Sequence, residues 1–284
     1  MTQLAWGERT YVMGILNLTP DSFSGDGLAP EGASSEEVVS SAVKQARTFV
    51  AAGADILDIG AESSRPAQFY GDHPPISAAA EAALVVPVLR ALREELGDGP
   101  LLSVDTTKGS VAREAIAAGA GMVNDVWAGT RDPGTLHAAA EAGSWMVLMH
   151  NREVADYPRG VFDEVVTWLR DAIGAAERAG IARGRLIVDP GIGFGKTADH
   201  SIELLHRLRE LRDALGGLPM LVGTSRKRFI GQLLGGAPPD HRLEGTAATV
   251  SLAIAAGADI VRVHDVEPMM RTVRVTDGIV RWRR

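Results

Sequence analysis

Short apolar runs alternate along the chain with longer stretches in which apolar residues recur every three or four positions. Continuous apolar runs are typical of strands buried on both faces of a parallel sheet, and the longer spacing is typical of amphipathic helices. The pattern predicts eight strands, at Tyr11–Leu16, Ile56–Ile59, Leu101–Val104, Met122–Val123, Trp145–Met149, Leu186–Val188, Met220–Val222 and Ile260–Val263. It predicts helices at Ser35–Ala52, Ala78–Leu96, Lys108–Ala118, Thr135–Ala142, Phe162–Ala179, Ser201–Leu215, Leu243–Ala256 and Glu267–Val275.

One unit recurs along the chain: an alanine-rich helix end, a glycine, and an apolar run that finishes in a polar residue. It occurs as AAGADILDIG, AAGAGMVNDV, EAGSWMVLMH and AAGADIVRVH, and in a longer form as RAGIARGRLIVDPG. Its glycines are placed where a helix C-cap is expected; they are Gly53, Gly119, Gly143, Gly180 and Gly257. Eight strands alternating with helices predict an α/β fold, a (β/α)8 TIM barrel formed by one domain over residues 1–284.

In such a barrel the carboxyl ends of all strands share one face, which carries the active site. The polar residues at these ends are Asn17, Asp58, Asp105, Asn124, Asp125, His150, Asp189, Ser225, Arg262 and His264. Arg262 and His264 alternate along an apolar strand, so their side chains point the same way and need an anionic partner when buried. Long connections at 18–34 and 61–77 follow the first two strands, and such loops commonly close over a substrate.

The stretch LIVDPGIGFGKT (186–197) ends a buried strand in Asp189 and continues into a glycine-rich turn. It has two interpretations, a functional loop at the mouth of the barrel or a plain strand followed by a tight turn. It is also a near miss to the phosphate-binding loop of nucleotide hydrolases. Pro190 replaces the first required glycine, and the next predicted helix begins around Ser201 rather than at Lys196, which argues against that class.

Composition excludes several classes of function. The 284 residues include no cysteine, which excludes disulfides, a thiol nucleophile and thiolate metal sites. The formal net charge of −7 argues against a nucleic-acid partner, and an anionic substrate would need a local cluster of cations. Because no apolar stretch suggests a signal peptide or a membrane span, we expect a soluble cytoplasmic protein without a membrane partner.

Seven motifs occur in an order that matches a known family: LNLTPDSFSGDG (16–27), DIGAESSRP (58–66), SVDT (103–106), NDV (124–126), DPGIGFGK (189–196), GTSRKRFIG (223–231) and RVHDV (262–266). Together they resemble the motifs of the dihydropteroate synthase family over nearly the whole chain. The resemblance implies a homodimeric barrel, a transferase of folate biosynthesis and sulfonamide target. Its small-molecule substrates would be 6-hydroxymethyl-7,8-dihydropterin pyrophosphate and 4-aminobenzoate, and its products 7,8-dihydropteroate and pyrophosphate.

The same resemblance assigns a pterin site. A pterin presents a guanidine-like edge, and a carboxylate can accept two of its hydrogens as a charge-assisted pair. By similarity Asp189 takes this role, Asp105 and Asn124 contact the rest of the ring edge, and Lys227 donates to the carbonyl side. A ring of the wrong pattern would leave buried polar groups unpaired, so this arrangement is selective.

The resemblance further implies SN1-like loss of pyrophosphate. Negative charge grows on the leaving oxygen, so fixed cations stabilise the transition state more than the ground state. The implied pyrophosphate-binding residues are Asn17, Ser64, Arg65, Arg262 and His264. The implied catalytic residues are Asp105, Lys227, Arg262 and His264. Asn17 matches the family's Mg²⁺ ligand, and one side-chain oxygen suffices because Mg²⁺ keeps waters and also binds phosphates. The arylamine is already nucleophilic, so no dedicated general base is assigned.

For 4-aminobenzoate the resemblance implies a site outside the pterin, at Phe194, Ser225, Arg226 and Pro66. Ser225, expected at the start of a helix, would offer its hydroxyl and backbone N–H groups to the carboxylate. Plain packing remains an alternative for Phe194 and is favoured for His150. The first loop departs from the family pattern at residues 24–27, which leaves its acidic residue open between Asp21 and Asp26.

Two alternatives share the pterin residues. A methyltetrahydrofolate–corrinoid methyltransferase-like barrel would need the same pterin edge contacts, but it would not need the ESSRP, SRK and RVHD motifs that suit pyrophosphate. A non-catalytic pterin-binding paralogue with altered loops is the other alternative, and the departures in the first loop are the reason to retain it.

Overall fold

The structure, a computed structural model, describes residues 4–18, 33–62 and 76–282. Its strands are β1 (Tyr11–Asn17), β2 (Ile56–Gly60), β3 (Leu101–Asp105), β4 (Met122–Asp125), β5 (Trp145–Met149), β6 (Leu186–Asp189), β7 (Leu221–Val222) and β8 (Ile260–Val263). Its α-helices are α1 (Ser35–Ala52), α2 (Ala78–Leu96), α3 (Gly109–Ala117), α4 (Gly134–Ala142), α5 (Val161–Arg178), α6 (Ala198–His206), α7 (Leu208–Ala214), α8 (Arg228–Leu233), α9 (Leu243–Ala255) and α10 (Val266–Val280). Short 3₁₀ turns lie at Arg183–Arg185 and Pro239–His241.

The strands form one parallel sheet in the order β6-β5-β4-β3-β2-β1-β8-β7. Its two edge strands meet through a parallel bridge between Val188 and Met220, where the Val188 N–H donates to the Pro219 carbonyl at 2.9 Å. The sheet therefore closes on itself, and the predicted (β/α)8 TIM barrel is confirmed. None of the helices in the described ranges is long and apolar enough to cross a membrane.

The prediction of a single helix at Ser201–Leu215 is wrong in detail. Two helices, α6 and α7, occupy this region and meet at Arg207. The first begins at Ala198 because the Thr197 hydroxyl accepts a hydrogen bond from the His200 N–H at 3.2 Å, and the His200 ring interacts with the Thr197 N–H. This cap has histidine where glutamate is usual, which explains why the start was missed. The short helix α8 was expected from Ser225 onward, but it begins only at Arg228.

The hydrophobic core has two layers. The outer layer packs the helices against the outward side chains of the strands. The inner layer fills the amino-terminal half of the barrel with Tyr11, Met13, Ile56, Leu101, Met122, Trp145, Val147, Ile187, Leu221 and Ile260. Leu4 and Trp6 pack against this inner layer. Since successive residues of a strand face opposite sides, the inner layer identifies which later residues of each strand also face the interior.

Capping interactions fix both ends of α1. The Ser34 N–H donates to the Glu37 carboxylate at 2.8 Å, and the Glu37 N–H donates to the Ser34 hydroxyl at 3.3 Å. This reciprocal pair fixes the start of α1 where the chain returns from the first long loop. At the other end of α1, Gly53 adopts a φ of 105°, which confirms the predicted glycine C-cap and turns the chain into β2.

Candidate active site

The interior of the barrel changes from apolar to polar along the strands. Ile56, Met122 and Ile260 belong to the inner core layer, and two residues further along the same strands stand Asp58, Asn124 and Arg262. Strand periodicity turns these polar side chains inward as well. Ser103 and Asp105 follow Leu101, and Asp189 follows Ile187, in the same way. A group of polar side chains therefore meets at the carboxyl ends of the strands.

Hydrogen bonds join four strands at this level. The Asp58 carboxylate accepts from the Ser103 hydroxyl at 2.6 Å, from the Asn124 amide at 2.9 Å and from Arg262 Nε at 2.7 Å. Arg262 Nη2 donates to Asp105 at 2.8 Å. One guanidinium thus serves two carboxyl groups, which explains how Arg262 is accommodated in an apolar strand. The partner expected from the sequence is present.

The Asp105 carboxyl group is held in an unfavourable electrostatic environment. Burial raises the pKa of Asp105 to about 8, Arg262 opposes this rise, and the neighbouring Asp58 adds to it. Burial and Asp58 thus oppose ionisation of Asp105, whereas the Arg262 guanidinium favours it. Such perturbed carboxyl groups are typical of sites that bind or transform a ligand.

A cleft of about 370 Å³ opens above this network. Its lining combines polar and apolar side chains: Ile15, Asn124, Val126, Met149, Asp189, Phe194, Gly223, Ser225, Lys227, Arg262 and His264. A few polar groups on an apolar wall are typical of a specific small-molecule site. Seven of the residues singled out from the sequence lie in this lining.

Asp189 and Lys227 define one side of the cleft. The Gly191 N–H donates to Asp189 Oδ1 at 2.7 Å and orients the carboxylate. Burial raises the pKa of Asp189, while the ammonium group of Lys227 lowers it. Lys227 donates to the Ile192 carbonyl, and its Nζ lies 4.6 Å from the centroid of the Phe194 ring. A carboxylate and an ammonium group therefore face the same space beside an aromatic ring.

Ser225, Arg226 and His264 form the rim that joins the loops after β7 and β8. The Ser225 hydroxyl accepts from the His264 N–H at 3.2 Å and contacts His264 Nδ1 at 3.0 Å. Arg226 has a φ of 57° and forms a two-bond ion pair with Asp265, at 2.9 and 2.6 Å. Ser225 does not start a helix as expected, because α8 begins only after Lys227. The rim is instead fixed by side chains.

Two polar strand ends face away from the cleft. Asp125 and His150 follow the outward positions Val123 and Leu148, so strand periodicity places them behind the barrel wall. The Nδ1 atom of His150 lies 2.8 Å from Lys196 Nζ, and burial lowers the pKa of this histidine to about 2. Packing was favoured for His150, and its contacts agree with that interpretation.

Lys196 is buried beneath the glycine-rich turn, where it also donates to the Phe194 carbonyl at 2.9 Å. It therefore does not point at a ligand as the lysine of a phosphate-binding loop does. The backbone of the turn passes so close that a Cβ atom at Gly191, which has a φ of 67°, would lie 1.9 Å from the His150 carbonyl oxygen. Glycine is required here by both conformation and space.

The remaining predicted residues lie near the ends of the described ranges or outside them. Asn17 ends β1 beside Gly60 and is half-buried. Three site residues assigned by resemblance, together with the two alternative acids of the first loop, lie outside the described residues: Ser64, Arg65, Pro66, Asp21 and Asp26. The sequence assignment omitted Asp58 and Ser103, although Asp58 stood among the polar strand ends. The inward spacing from Ile56 is the signal that identifies it.

A TIM barrel with a cleft at its mouth, lined by both polar and apolar side chains, is typical of barrel enzymes that bind small molecules. Comparison with known proteins narrows the class. Residues 13–264 match the family described as pterin binding enzyme. Dihydropteroate synthase of Synechocystis sp. is 43% identical over 99% of this chain and 93% of its own length. That of Bacillus subtilis is 41% identical over 98% of this chain and 91% of its own length.

Solved structures agree with these relatives. The crystal structure of dihydropteroate synthase from Clostridium difficile in the presence of pteroic acid has a TM-score of 0.89 and 40% identity, covering 98% of this chain and 100% of that one. The Xanthomonas albilineans enzyme with 4-aminobenzoic acid has a TM-score of 0.84 and 42% identity, covering 96% of this chain and 93% of that one. The chain belongs to the pterin binding enzymes and, within them, to the dihydropteroate synthase family.

Proposed function

We propose that the protein is a dihydropteroate synthase, which condenses 6-hydroxymethyl-7,8-dihydropterin pyrophosphate with 4-aminobenzoate and releases pyrophosphate. The observation that carries the proposal is the cleft in which Asn124, Asp189, Lys227 and Arg262 face one another. Acceptors, donors and a flat cation around one small space suit a planar ring with hydrogen-bonding edges. Relatives with this name span nearly the whole chain.

In this proposal the pterin lies between the barrel network and the rim. Asp189, oriented by the Gly191 N–H, accepts from the 2-amino and N3–H groups of the ring. Asn124 and Asp105 contact the opposite ring edge, and Lys227 donates to the ring carbonyl. The buried polar groups then discriminate strongly, because any ring that leaves one of them unpaired binds with a penalty.

Departure of pyrophosphate is assisted by cations beside the methylene carbon. Arg262 is held in place by two carboxyl groups, and His264 lies next to it along the strand direction. Their hydrogen bonds to the leaving group strengthen as its negative charge grows. By resemblance, Ser64 and Arg65 would add further donors. The pterin methylene then meets the amino group of 4-aminobenzoate, and the lost amine proton passes to solvent.

The metal proposed for this reaction is Mg²⁺. The amide oxygen of Asn17 is a hard ligand at the carboxyl end of β1, half-buried and therefore open to a ligand on one side, which fits a cation that binds oxygen donors. Asn17 would hold the ion together with phosphate oxygens and water. When bound, Mg²⁺ would neutralise part of the charge of the leaving pyrophosphate.

4-Aminobenzoate is proposed to bind at the rim. Phe194 supplies an aromatic surface for the ring of 4-aminobenzoate. The Ser225 hydroxyl can donate to the carboxylate of 4-aminobenzoate when His264 Nδ1 carries a proton and donates to that hydroxyl. Arg226 and Pro66 stay predicted contacts. Since Asp265 already occupies the Nε and Nη2 side of Arg226, the contact proposed for that residue is made by its aliphatic stem.

The test of this function is pyrophosphate release by the purified protein with the pterin pyrophosphate and Mg²⁺, with and without 4-aminobenzoate. Release that depends on 4-aminobenzoate, with dihydropteroate formed in equal amount, supports the synthase. Tight binding of the pterin pyrophosphate without release would favour the non-catalytic paralogue. Transfer of a methyl group from methyltetrahydrofolate to a corrinoid would favour the methyltransferase-like alternative.

We also propose a homodimer. The helices α9 and α10 pack side by side, with a contact of 3.0 Å between the hydroxyl groups of Ser251 and Thr276. On their outer surface Leu252, Val275 and Ile279 are 67%, 65% and 73% exposed. Neighbouring exposed apolar side chains are typical of an interface. Light scattering should show a dimer for the wild type and a monomer for Leu252→Glu, and a wild-type monomer would contradict the proposal.

A cytoplasmic location is proposed on chemical grounds. The substrate carries a pyrophosphate group, and several negative charges do not cross a lipid bilayer unaided. An enzyme that uses this substrate must therefore share the compartment in which it is made. Cell fractionation with antibodies to the protein tests the location.

A further inference from the structure

Asp58 is a fully buried carboxylate that the substrate assignments leave without a role. It is 0% exposed and does not line the cleft, but two of the three hydrogen-bond partners that it has among the described residues, Asn124 and Arg262, do. Its third partner, Ser103, is also fully buried. Asp58 therefore lies directly beneath the ligand site and touches it only through other residues.

The contact with Asn124 decides which end of its amide the cleft presents. The Asn124 Nδ2 group donates to Asp58 Oδ2 at 2.9 Å, and a carboxylate cannot accept from the carbonyl end of an amide. The carbonyl oxygen of Asn124 is therefore directed away from Asp58. Because Asn124 lines the cleft, the ligand meets a hydrogen-bond acceptor at this position.

The contact with Arg262 decides the orientation of its guanidinium plane. Nε donates to Asp58 at 2.7 Å, and Nη2 donates to Asp105 at 2.8 Å. Two anchors on different nitrogen atoms fix a rigid planar group in position and direction. Arg262 lines the cleft, so these two anchors set the direction from which its guanidinium meets a ligand. Without Asp58 only the terminal anchor to Asp105 would remain, and the plane could rotate about it.

We propose that Asp58 is a positioning residue that orients both Asn124 and Arg262 through the single oxygen atom Oδ2. The proposal rests on the proposed function for the identity of the ligand and for the use of activity as the readout. It assigns to Asp58 an acceptor geometry rather than a direct contact with substrate. Asp58 thereby couples the recognition of the pterin edge to the placement of the cation that faces the leaving group.

The geometry suggests an informative pair of variants. In Asp58→Asn the new carbonyl oxygen can take the place of Oδ2 and accept from Asn124 and Arg262, while the new amide donates to the Ser103 hydroxyl. Asp58→Ala removes every acceptor. We expect Asp58→Asn to keep kcat/KM for the pterin pyrophosphate within about tenfold of wild type, and Asp58→Ala to lose about 100-fold or more.

Ser103 supplies a sharper test that does not depend on the alanine variant folding. A carboxylate is symmetric, so Ser103→Ala alone should lower kcat/KM less than about threefold. In the Asp58→Asn background the N–H donors of Asn124 and Arg262 already require a carbonyl oxygen at the position of Oδ2, and the Ser103 hydroxyl accepts from the new amide. Adding Ser103→Ala there leaves this amide without its acceptor, so the unfolding temperature should fall more than for the two single changes combined, while kcat/KM stays within about threefold of the Asp58→Asn value.

Steady-state kinetics of the wild type and the four variants, with thermal unfolding of each, completes the test. The losses should fall on the pterin pyrophosphate parameters, while KM for 4-aminobenzoate changes less than about threefold. Equal losses of kcat/KM in Asp58→Asn and Asp58→Ala, or a loss in Ser103→Ala as large as that in Asp58→Ala, would overturn a positioning role that acts through Oδ2. An inactive wild type would instead refute the proposed function, and calorimetric affinity for pteroic acid would then provide the same comparison.

Discussion

Replacing Asp189 by asparagine separates ligand recognition from stability. Asp189 is 6% exposed and lines the cleft, and its Oδ1 atom accepts from the Gly191 N–H at 2.7 Å. Asparagine has the same shape and can keep this backbone contact through its carbonyl oxygen. Its amide group, however, donates where the carboxylate accepts, so it opposes the N–H groups of a pterin.

The cost to binding follows from the bonds that are lost. Two charge-assisted hydrogen bonds to the pterin edge become at best one neutral bond, which is a loss of about 2–4 kcal/mol. The dissociation constant of the pterin pyrophosphate should therefore rise about 30- to 700-fold. Isothermal titration calorimetry measures this change, and Asp213→Asn, on the exposed surface of α7, is the matched control.

Stability should not decline with affinity. Burial raises the pKa of Asp189, so between its ordinary value of about 4 and the raised native value the folded state binds more protons than the unfolded state. The free energy of unfolding contributed by this group therefore falls as pH rises through that interval. Asparagine does not ionise and avoids the penalty, so the variant should unfold at an equal or higher temperature at pH about 8. A variant that binds within about threefold of wild type, or that is destabilised by more than about 1 kcal/mol, would refute the reasoning.

Three further predictions concern stability. Gly217 has a φ of 68° with open space around it, so Gly217→Ala should lower the free energy of unfolding by about 1 kcal/mol. Gly191→Ala should lower it by about 1–3 kcal/mol more, because the new Cβ atom would clash with the His150 carbonyl oxygen. Equal losses in urea denaturation would contradict the packing argument. Lys108→Met should lower the free energy of unfolding by about 3–5 kcal/mol, because it removes the cation that pairs with the fully buried Glu81 carboxylate. A loss below about 1 kcal/mol by the same assay would disprove this prediction. Because the pKa of Asp105 is raised in the folded state, the free energy of unfolding that this group contributes falls as pH rises from about 4 to about 8. Asp105→Asn should flatten this decline, and an unchanged slope in the variant would contradict the raised pKa.

Helix α6 and residue Asp58 show where reasoning from the chain was limited. The apolar spacing located the region of α6, but its start depends on a cap in which histidine replaces the usual partner. Asp58 was visible as the polar end of a strand, yet a single buried aspartate is not distinguishable in sequence from any other strand exit. Its role became apparent only when Ser103, Asn124 and Arg262 were found around it.

The direction of polar strand ends lies between these two cases. Periodicity of two residues places Asp189 inside the barrel and His150 outside, provided that one inward residue of each strand is known. The sequence contains this periodicity, but in a strand buried on both faces every position is apolar and none marks the inner side. The choice between inside and outside was therefore settled by closure of the barrel.

By itself the sequence determined the order of strands and helices, the barrel and the positions at which chemistry is concentrated. These properties are local, because strand period, helix period and glycine caps depend on residues a few positions apart. Only the tertiary structure decided that Arg262 is shared by Asp58 and Asp105, that Arg226 is paired with Asp265 and that Lys196 is buried against His150. Arg262 lies 204 residues along the chain from Asp58, and closure of the sheet brings their side chains to 2.7 Å.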